Sequence, residues 1–131
     1  MSVVNDLSRL LNPKVIAVIG ASDDPTRIGG KPISYMVKQG YAGKILPVNP
    51  KRDTVQGIKS YPSVDALPET PDIAIVAVPA SAALETITAL AKRGTGGAIL
   101  FSAGFAEMNE EGAAIQNKMA EVATAHGMRL L

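Results

Sequence analysis

Residues 15–24 read Val15-Ile16-Ala17-Val18-Ile19-Gly20-Ala21-Ser22-Asp23-Asp24, and Gly29-Gly30 follow after a polar loop. Val15 to Ile19 is apolar on consecutive positions and largely β-branched, with no polar alternation. A strand that reads this way is covered on both faces, and helices cover both faces chiefly in parallel sheets. Similar runs recur at Ile45-Leu46-Pro47-Val48, Ile73-Ala74-Ile75-Val76-Ala77-Val78 and Ala98-Ile99-Leu100-Phe101, with a fifth at Met128-Arg129-Leu130-Leu131. Between them lie stretches of helical spacing. Residues 30–39 carry Ile33, Met36 and Val37. Residues 81–93 carry Leu84, Ile87, Leu90 and Ala91, with Ser81 placed to cap the start and Gly94 the end. Residues 110–126 carry Ala114, Ile115, Met119, Val122 and Ala123 ahead of Gly127. Strands alternating with helices predict an α/β fold: a Rossmann-like, doubly wound parallel sheet of about five strands in three α/β/α layers. The expected strand order is 3-2-1-4-5. The Pro-rich, polar residues 53–71 read as a surface crossover with a helical turn at 63–67. Residues 5–12 read as a lead-in helix with Leu7, Leu10 and Leu11 on one face, stopped by Pro13.

Composition narrows the function. At 131 residues the chain is one domain with room for a core. Thirteen Lys and Arg against twelve Asp and Glu leave a formal charge of +1, with no general pull toward nucleic acid or an anionic membrane. Aromatic residues are 4% of the chain and Trp is absent, which disfavours a base-stacking platform. The absence of Cys excludes disulfides, thiolate metal sites, iron–sulfur clusters and a cysteine nucleophile, and with one His a structural zinc site is not expected. No apolar run approaches the roughly 20 residues of a membrane span. Residues 1–6 lack a basic segment followed by an apolar one, so no signal peptide is expected and the protein reads as soluble and cytoplasmic.

In such sheets ligands bind beyond the carboxyl ends of the strands, so the residues after each apolar run define the candidate site. The first turn, Gly20, Ala21, Ser22, Asp23 and Asp24 through Arg27, Ile28, Gly29 and Gly30, offers glycines for close backbone approach and a helix start that favours a phosphate. It departs from G-x-G-x-x-G, because Ser22 takes the second glycine position. Arg27 adds a cation. The competing reading is that the glycines merely allow a tight turn and close helix packing; at this position of a Rossmann-like sheet ligand binding is favoured over it. The second turn, Asn49, Pro50, Lys51 and Arg52, lacks the acid that NAD binders place there to hold ribose hydroxyls. Lys51 and Arg52 suit a ribose phosphate instead, which points to NADP or coenzyme A, unless they are simply a solvated loop. Val78, Pro79 and Ala80 suit a wall beside an extended ligand, and Ser102, Ala103 and Gly104 leave room for a narrow pantetheine-like arm, although packing accounts for small residues too. His126, in the last turn of a predicted helix, reads as a capping group. Ser22, Ser81 and Ser102 have no visible base partner and are not expected to be nucleophiles.

Taken in order, Leu11-Asn12-Pro13-Lys14, Val18-Ile19-Gly20-Ala21-Ser22, Ile28-Gly29-Gly30, Gly43-Lys44-Ile45, Pro47-Val48-Asn49-Pro50-Lys51, Tyr61-Pro62-Ser63 and Ser102-Ala103-Gly104-Phe105-Ala106-Glu107 resemble the CoA-binding domain of the NDP-forming (ADP-forming) acyl-CoA synthetases. That group is similar to the succinyl-CoA synthetase α subunit. The resemblance runs over nearly the whole chain and implies a domain that grips coenzyme A. It places Gly20 to Asp24 in the first CoA loop and Lys51, or Arg52, near the nucleotide phosphates. It sets Val78-Pro79-Ala80 and Ser102-Ala103-Gly104 beside the nucleotide and pantetheine. One departure is Ala103, where succinyl-CoA synthetases carry an acidic residue.

The same resemblance implies partners: a phosphohistidine domain and an ATP-grasp module, as further domains or a subunit, with no nucleic acid and no membrane. His126 does not match the phosphohistidine's context. Residues 1–131 are therefore expected to be a CoA-binding N-terminal piece of a longer enzyme, inactive alone. Two other readings stay open. One is a free-standing CoA-binding or regulatory module, or the synthetase-like region of a protein acetyltransferase. The other is a fragment of an NADP-dependent oxidoreductase, against which Ser22 and the Asn49-Pro50 turn count.

Overall fold

The computed structural model describes residues 9–101 and 110–130. Along the chain run β1 (Val15–Ile19), α1 (Lys31–Lys38), β2 (Lys44–Val48), β3 (Thr54–Val55), β4 (Ile58–Lys59), a 3-10 turn (Val64–Ala66), β5 (Ile73–Val76), α2 (Ala80–Lys92), β6 (Gly97–Leu100), α3 (Glu110–Ala125) and β7 (Arg129–Leu130). Five of the strands form one parallel sheet in the order β2-β1-β5-β6-β7, and β3 and β4 form a separate antiparallel hairpin.

The continuous apolar runs are explained by cover on both faces. Ala17 and Ile19 of β1, with Ala74 and Val76 of β5, pack against Ala83, Ile87, Leu90 and Ala91 of α2 and Met119 and Ala123 of α3. On the other face Val18 meets Ile33 of α1 and Val55 of the hairpin, with Ile45 and Ile75 against them. Successive side chains of a strand point to opposite faces, so a strand between two layers needs apolar residues at every position.

The strand order corrects the expected 3-2-1-4-5. Counting only the strands of the large sheet, it is 2-1-3-4-5, which leaves β2 at the edge. Pro47 supplies the physical reason. Its carbonyl faces away from β1 and accepts from the Tyr61 amide at 3.0 Å. The nitrogen of a strand residue points the same way as its carbonyl, so the N–H that proline lacks is missing from the open edge and not from the β1 ladder. Between two strands the same residue would break a ladder. Residues 53–71, expected as a plain crossover, hold the hairpin as well as the 3-10 turn, which Ser63 caps by accepting from the Ala66 amide. Arg93 fastens that turn to the end of α2, donating to the carbonyls of Val64, Asp65 and Leu67.

Helices α1, α2 and α3 each close on a glycine at positive φ: Gly40 after α1, Gly94 after α2 and Gly127 after α3. In α2 the Gly94 amide bonds the Ala91 carbonyl and the Thr95 amide bonds that of Leu90, the double closure that a left-handed residue makes possible. His126, expected in the last turn of the third, follows its final residue Ala125, with its Nδ1 3.1 Å from the Val122 carbonyl. Ser81 does not cap α2. Pro79 holds that position, and the Ala82 amide bonds its carbonyl, because the proline's fixed φ sets the chain to enter the helix immediately after it. Of the lead-in helix, Arg9 to Leu11 are helical. Leu10 lies against Gly97, but Leu11 is exposed, so the two do not share a buried face. Leu7 lies outside the described residues.

At the amino end of the sheet Arg9 stitches the strands' starts together. Its Nε donates to Asp72 Oδ1 at 2.9 Å, and its two Nη atoms to the carbonyls of Gly94 and Pro71. Asp72 Oδ2 accepts the amides of Lys14 and Val15. Burial alone would raise the Asp72 carboxyl. The Arg9 bond, the two amides and the guanidinium charge outweigh it and hold the group below the usual aspartate range.

Candidate functional site

Strand order reverses at β1, which has β2 on one side and β5 on the other, and crevices form at the carboxyl ends beside such a switch. There an open cleft of about 830 Å³ is lined by Gly20, Ala21, Ser22, Asp23, Asp24, Thr26, Arg27, Ile28, Gly29, Asn49, Lys51, Arg52 and Ala77. The first two turns singled out in the sequence thus meet in one hollow. A second hollow of about 290 Å³ shares Gly20 and is lined in part by Pro50, Val78, Pro62 and Thr86. Pro79 and Ala80 line neither, and Gly30 is buried beneath the loop. Ser102, Ala103 and Gly104, with Phe105 and Glu107, lie outside the described residues.

The glycines are dictated first by the loop's own folding. Gly20 sits at φ +81°, and a Cβ there would stand 2.2 Å from the Ala77 carbonyl oxygen. A Cβ on Gly29 would come 2.0 Å from the Gly20 oxygen, and one on Gly30 1.9 Å from the Asp24 oxygen. The loop therefore closes on itself backbone to backbone, as the Ser22 amide to Gly29 carbonyl bond of 3.1 Å records. Within it Ser22 Oγ accepts the Asp24 amide, while Asp24 accepts the Thr26 hydroxyl at 2.6 Å and the Thr26 amide at 2.9 Å. The Thr26 hydroxyl, then its amide, then the nearby Arg27 hold the Asp24 carboxyl below its usual range against a small opposing cost of burial. The amides of Asp23, Ile28 and Gly29 donate to no acceptor among the described residues.

Asn49 ties the two loops together. Its Nδ2 donates to the Ala21 carbonyl at 2.9 Å, and its Oδ1 accepts the Lys51 amide at 2.8 Å, the side-chain turn that asparagine forms readily. The cations differ in their partners. Arg52 Nη2 is 3.1 Å from Asp23 Oδ2, and Arg27 is a loose 3.8 Å from Asp24. Lys51 has no acidic partner among the described residues. The cleft thus carries three cations and two carboxylates, with the surplus at Lys51.

Sequence reading missed Thr26, Ala77 and, most consequentially, Gln56. Gln56 and Gly57 are the two residues between β3 and β4, at φ 49° and 79°. Positive φ at both marks a tight hairpin turn, for which Asn-Gly or Asp-Gly is the usual signature. The Gln56 amide donates to Asp23 Oδ1 at 2.7 Å, and its Nε2 donates to the carbonyls of Ser22 and Gly30 at 3.0 and 2.9 Å.

A family model described as "CoA binding domain" matches residues 14–131. An ADP-forming acetate–CoA ligase II from Archaeoglobus fulgidus is 43% identical over 97% of this chain, which corresponds to 19% of its own length. A trans-feruloyl-CoA synthase from an unknown prokaryotic organism is 43% identical over 93% of this chain and 17% of its own. The chain therefore spans about a fifth of the length of these relatives. Among solved structures, the apo form of acetyl-coenzyme A synthetase 1 from Ca. Korarchaeum cryptofilum superposes with a TM-score of 0.86 at 38% identity, over 95% of this chain and 27% of that one.

Proposed function

Since this chain belongs to the CoA binding domain family, we propose that its cleft at the carboxyl ends of β1 and β2 holds the nucleotide end of coenzyme A. The observation that carries this reading is the meeting of loop 20–29 with Lys51 and Arg52 in one hollow, at the strand end where a diol-binding acid would otherwise stand. Coenzyme A carries a ribose 3′-phosphate and a pyrophosphate. Lys51 supplies a cation to the ribose phosphate. The amides of Asp23, Ile28 and Gly29, near the start of α1, supply donors to the pyrophosphate, where the helix end favours negative charge. Pro50 and Val78 flank the same ligand from the adjoining hollow, and Pro79, Ala80, Ser102, Ala103 and Gly104 belong to its further course.

On the same reading, residues 1–131 form the CoA-gripping unit of a longer, cytoplasmic, ADP-forming acyl-CoA synthetase. That enzyme converts a carboxylate, CoA and a nucleoside triphosphate to acyl-CoA, a nucleoside diphosphate and phosphate. A phosphohistidine domain and an ATP-grasp module supply the chemistry. On this reading the cleft's hydroxyls serve the loop's own folding and not chemistry: Ser22 Oγ accepts the Asp24 amide, and the Thr26 hydroxyl donates to the Asp24 carboxylate.

Calorimetric titration of the 131-residue chain with CoA, dephospho-CoA, NADPH and NADH tests the binding claim. CoA should bind tightest, and dephospho-CoA about tenfold more weakly. Equal or tighter binding of a nicotinamide cofactor would overturn the reading in favour of an oxidoreductase fragment. Incubation with acetate, ATP and CoA should yield no acetyl-CoA, and turnover by the pure chain would refute the assignment of chemistry to other domains.

A further inference from the structure

We infer that the β3–β4 hairpin is a clamp that holds the cleft loop in its binding shape, and that Gln56 is the positioning residue through which it acts. This rests on the reading of the cleft as the CoA site. Loop 20–30 has few attachments of its own to the sheet. Besides the Gly20 and Ala21 amides on the Val48 carbonyl, the Asn49 hook on Ala21, and the Lys31 and Ser34 amides of α1 on the carbonyls of Arg27 and Gly30, it is held from outside by the hairpin and its approach. Gln56 makes three of those bonds at once. Its side-chain nitrogen spans the carbonyls of Ser22 and Gly30, which flank the loop, and its backbone amide holds Asp23, next to Ser22. Two carbonyls eight residues apart in sequence are thereby joined through one amide group, which uses both of its N–H donors.

The backbone conformation supports a functional role. Gln56 is the one non-glycine residue at positive φ among those described, in a turn where asparagine, aspartate or glycine would sit with less strain. A long amide side chain held in that conformation is explained by what it reaches. Val55 anchors the hairpin from beneath, fully buried against Val18, Ala21 and Ile33 of β1, the loop and α1. The clamp is thus seated on β1 and α1 as well as on the base of the loop it holds. Its effect on ligand binding is indirect. A loop populated in its binding shape for only a fraction of the time binds with an affinity reduced by that fraction.

Gln56→Gly separates the clamp from the turn, because glycine accepts the positive φ more readily than glutamine and removes only the side-chain bonds. Gln56→Asn also keeps the turn, but its amide is one methylene short of the two carbonyls. Calorimetry with CoA and amide hydrogen exchange are read on the wild type and both variants. Both variants should bind CoA about tenfold more weakly, the loss of two neutral hydrogen bonds. Exchange should rise at residues 21–30 and not in β1 or β5, and saturating CoA should return loop protection toward the wild-type level. Wild-type affinity in both variants, or exchange that rises evenly over the core, would overturn the clamp. If wild type itself fails to bind CoA, the CoA reading falls. Exchange alone then judges the clamp: a rise confined to 21–30 upholds it as a loop-ordering device, and no rise there overturns it.

Discussion

Two arginine–aspartate pairs occupy opposite ends of the sheet and do different work. At the amino end Arg9 and Asp72 are 2.9 Å apart, with side chains 26% and 18% exposed. Each member of that pair has further partners: two carbonyls for the guanidinium's Nη atoms and two amides for the carboxylate's Oδ2. At the carboxyl end Arg52 and Asp23 are 3.1 Å apart, and both are 48% exposed. The first pair is knitted into the backbone at the starts of β1 and β5, so its geometry is fixed and losing either partner strands the other. The second lies open in the cleft, where water and salt weaken it and a ligand phosphate can take Asp23's place. The same two residue types build the scaffold at one end and leave an exchangeable charge at the other.

The largest expected effect is at the amino end. Asp72→Ala removes three charge-assisted hydrogen bonds and leaves Arg9 partly buried without its carboxylate. A loss of about 2–3 kcal/mol is expected, seen as a drop of about 10 °C in thermal melting. A drop of only about a degree would mean that the pair is no more than a surface ion pair. The pH dependence sharpens the point. The Asp72 carboxyl lies lower in the folded chain than its ordinary value near 4, so its contribution is complete above about pH 4 and fades as pH falls through the lower folded value. Melting curves of wild type and Asp72→Ala should therefore converge below about pH 4 and stay parallel above about pH 5.

Intermediate effects are expected from the cleft cations. Replacing Lys51 and Arg52 together by Ala should cost roughly tenfold in CoA affinity, and less with dephospho-CoA. Lys51→Ala alone should account for most of this, because Arg52 is already engaged by Asp23 and donates to Thr54. The losses should shrink as salt rises. Equal weakening of both ligands would move the cations to the pyrophosphate, and a larger loss at Arg52 would reverse the division of roles. The smallest effect belongs to Asp23→Asn, which should change stability by under about 0.5 kcal/mol. It should also tighten CoA by about twofold, because the freed Arg52 adds to the field of the cleft. Calorimetry showing weaker CoA binding would mean that Asp23 matters more as the hairpin's anchor, through the Gln56 amide, than as a competitor for Arg52.

What the chain by itself determined follows from local chemistry. Unalternating runs such as Val15 to Ile19 specify strands covered on both faces, glycines at 94 and 127 specify helix ends, and the glycine-rich turn and Lys51 and Arg52 mark the two strand ends that line the cleft. Each of these reads out over a few neighbouring residues, because the constraint is a backbone angle or the period of a single element. Pro47 already held the clue that β2 is an edge strand, in its missing donor, and Gln56-Gly57 a faint one for the hairpin. The rest was decided in three dimensions. Which strands neighbour β1, which cation Asp23 captures, and how one glutamine comes to hold two carbonyls of a distant loop all depend on contacts between residues some tens of positions apart. No local propensity encodes such a meeting. It follows from how the layers pack, which fixes where the crossover of residues 53–71 sets its hairpin down.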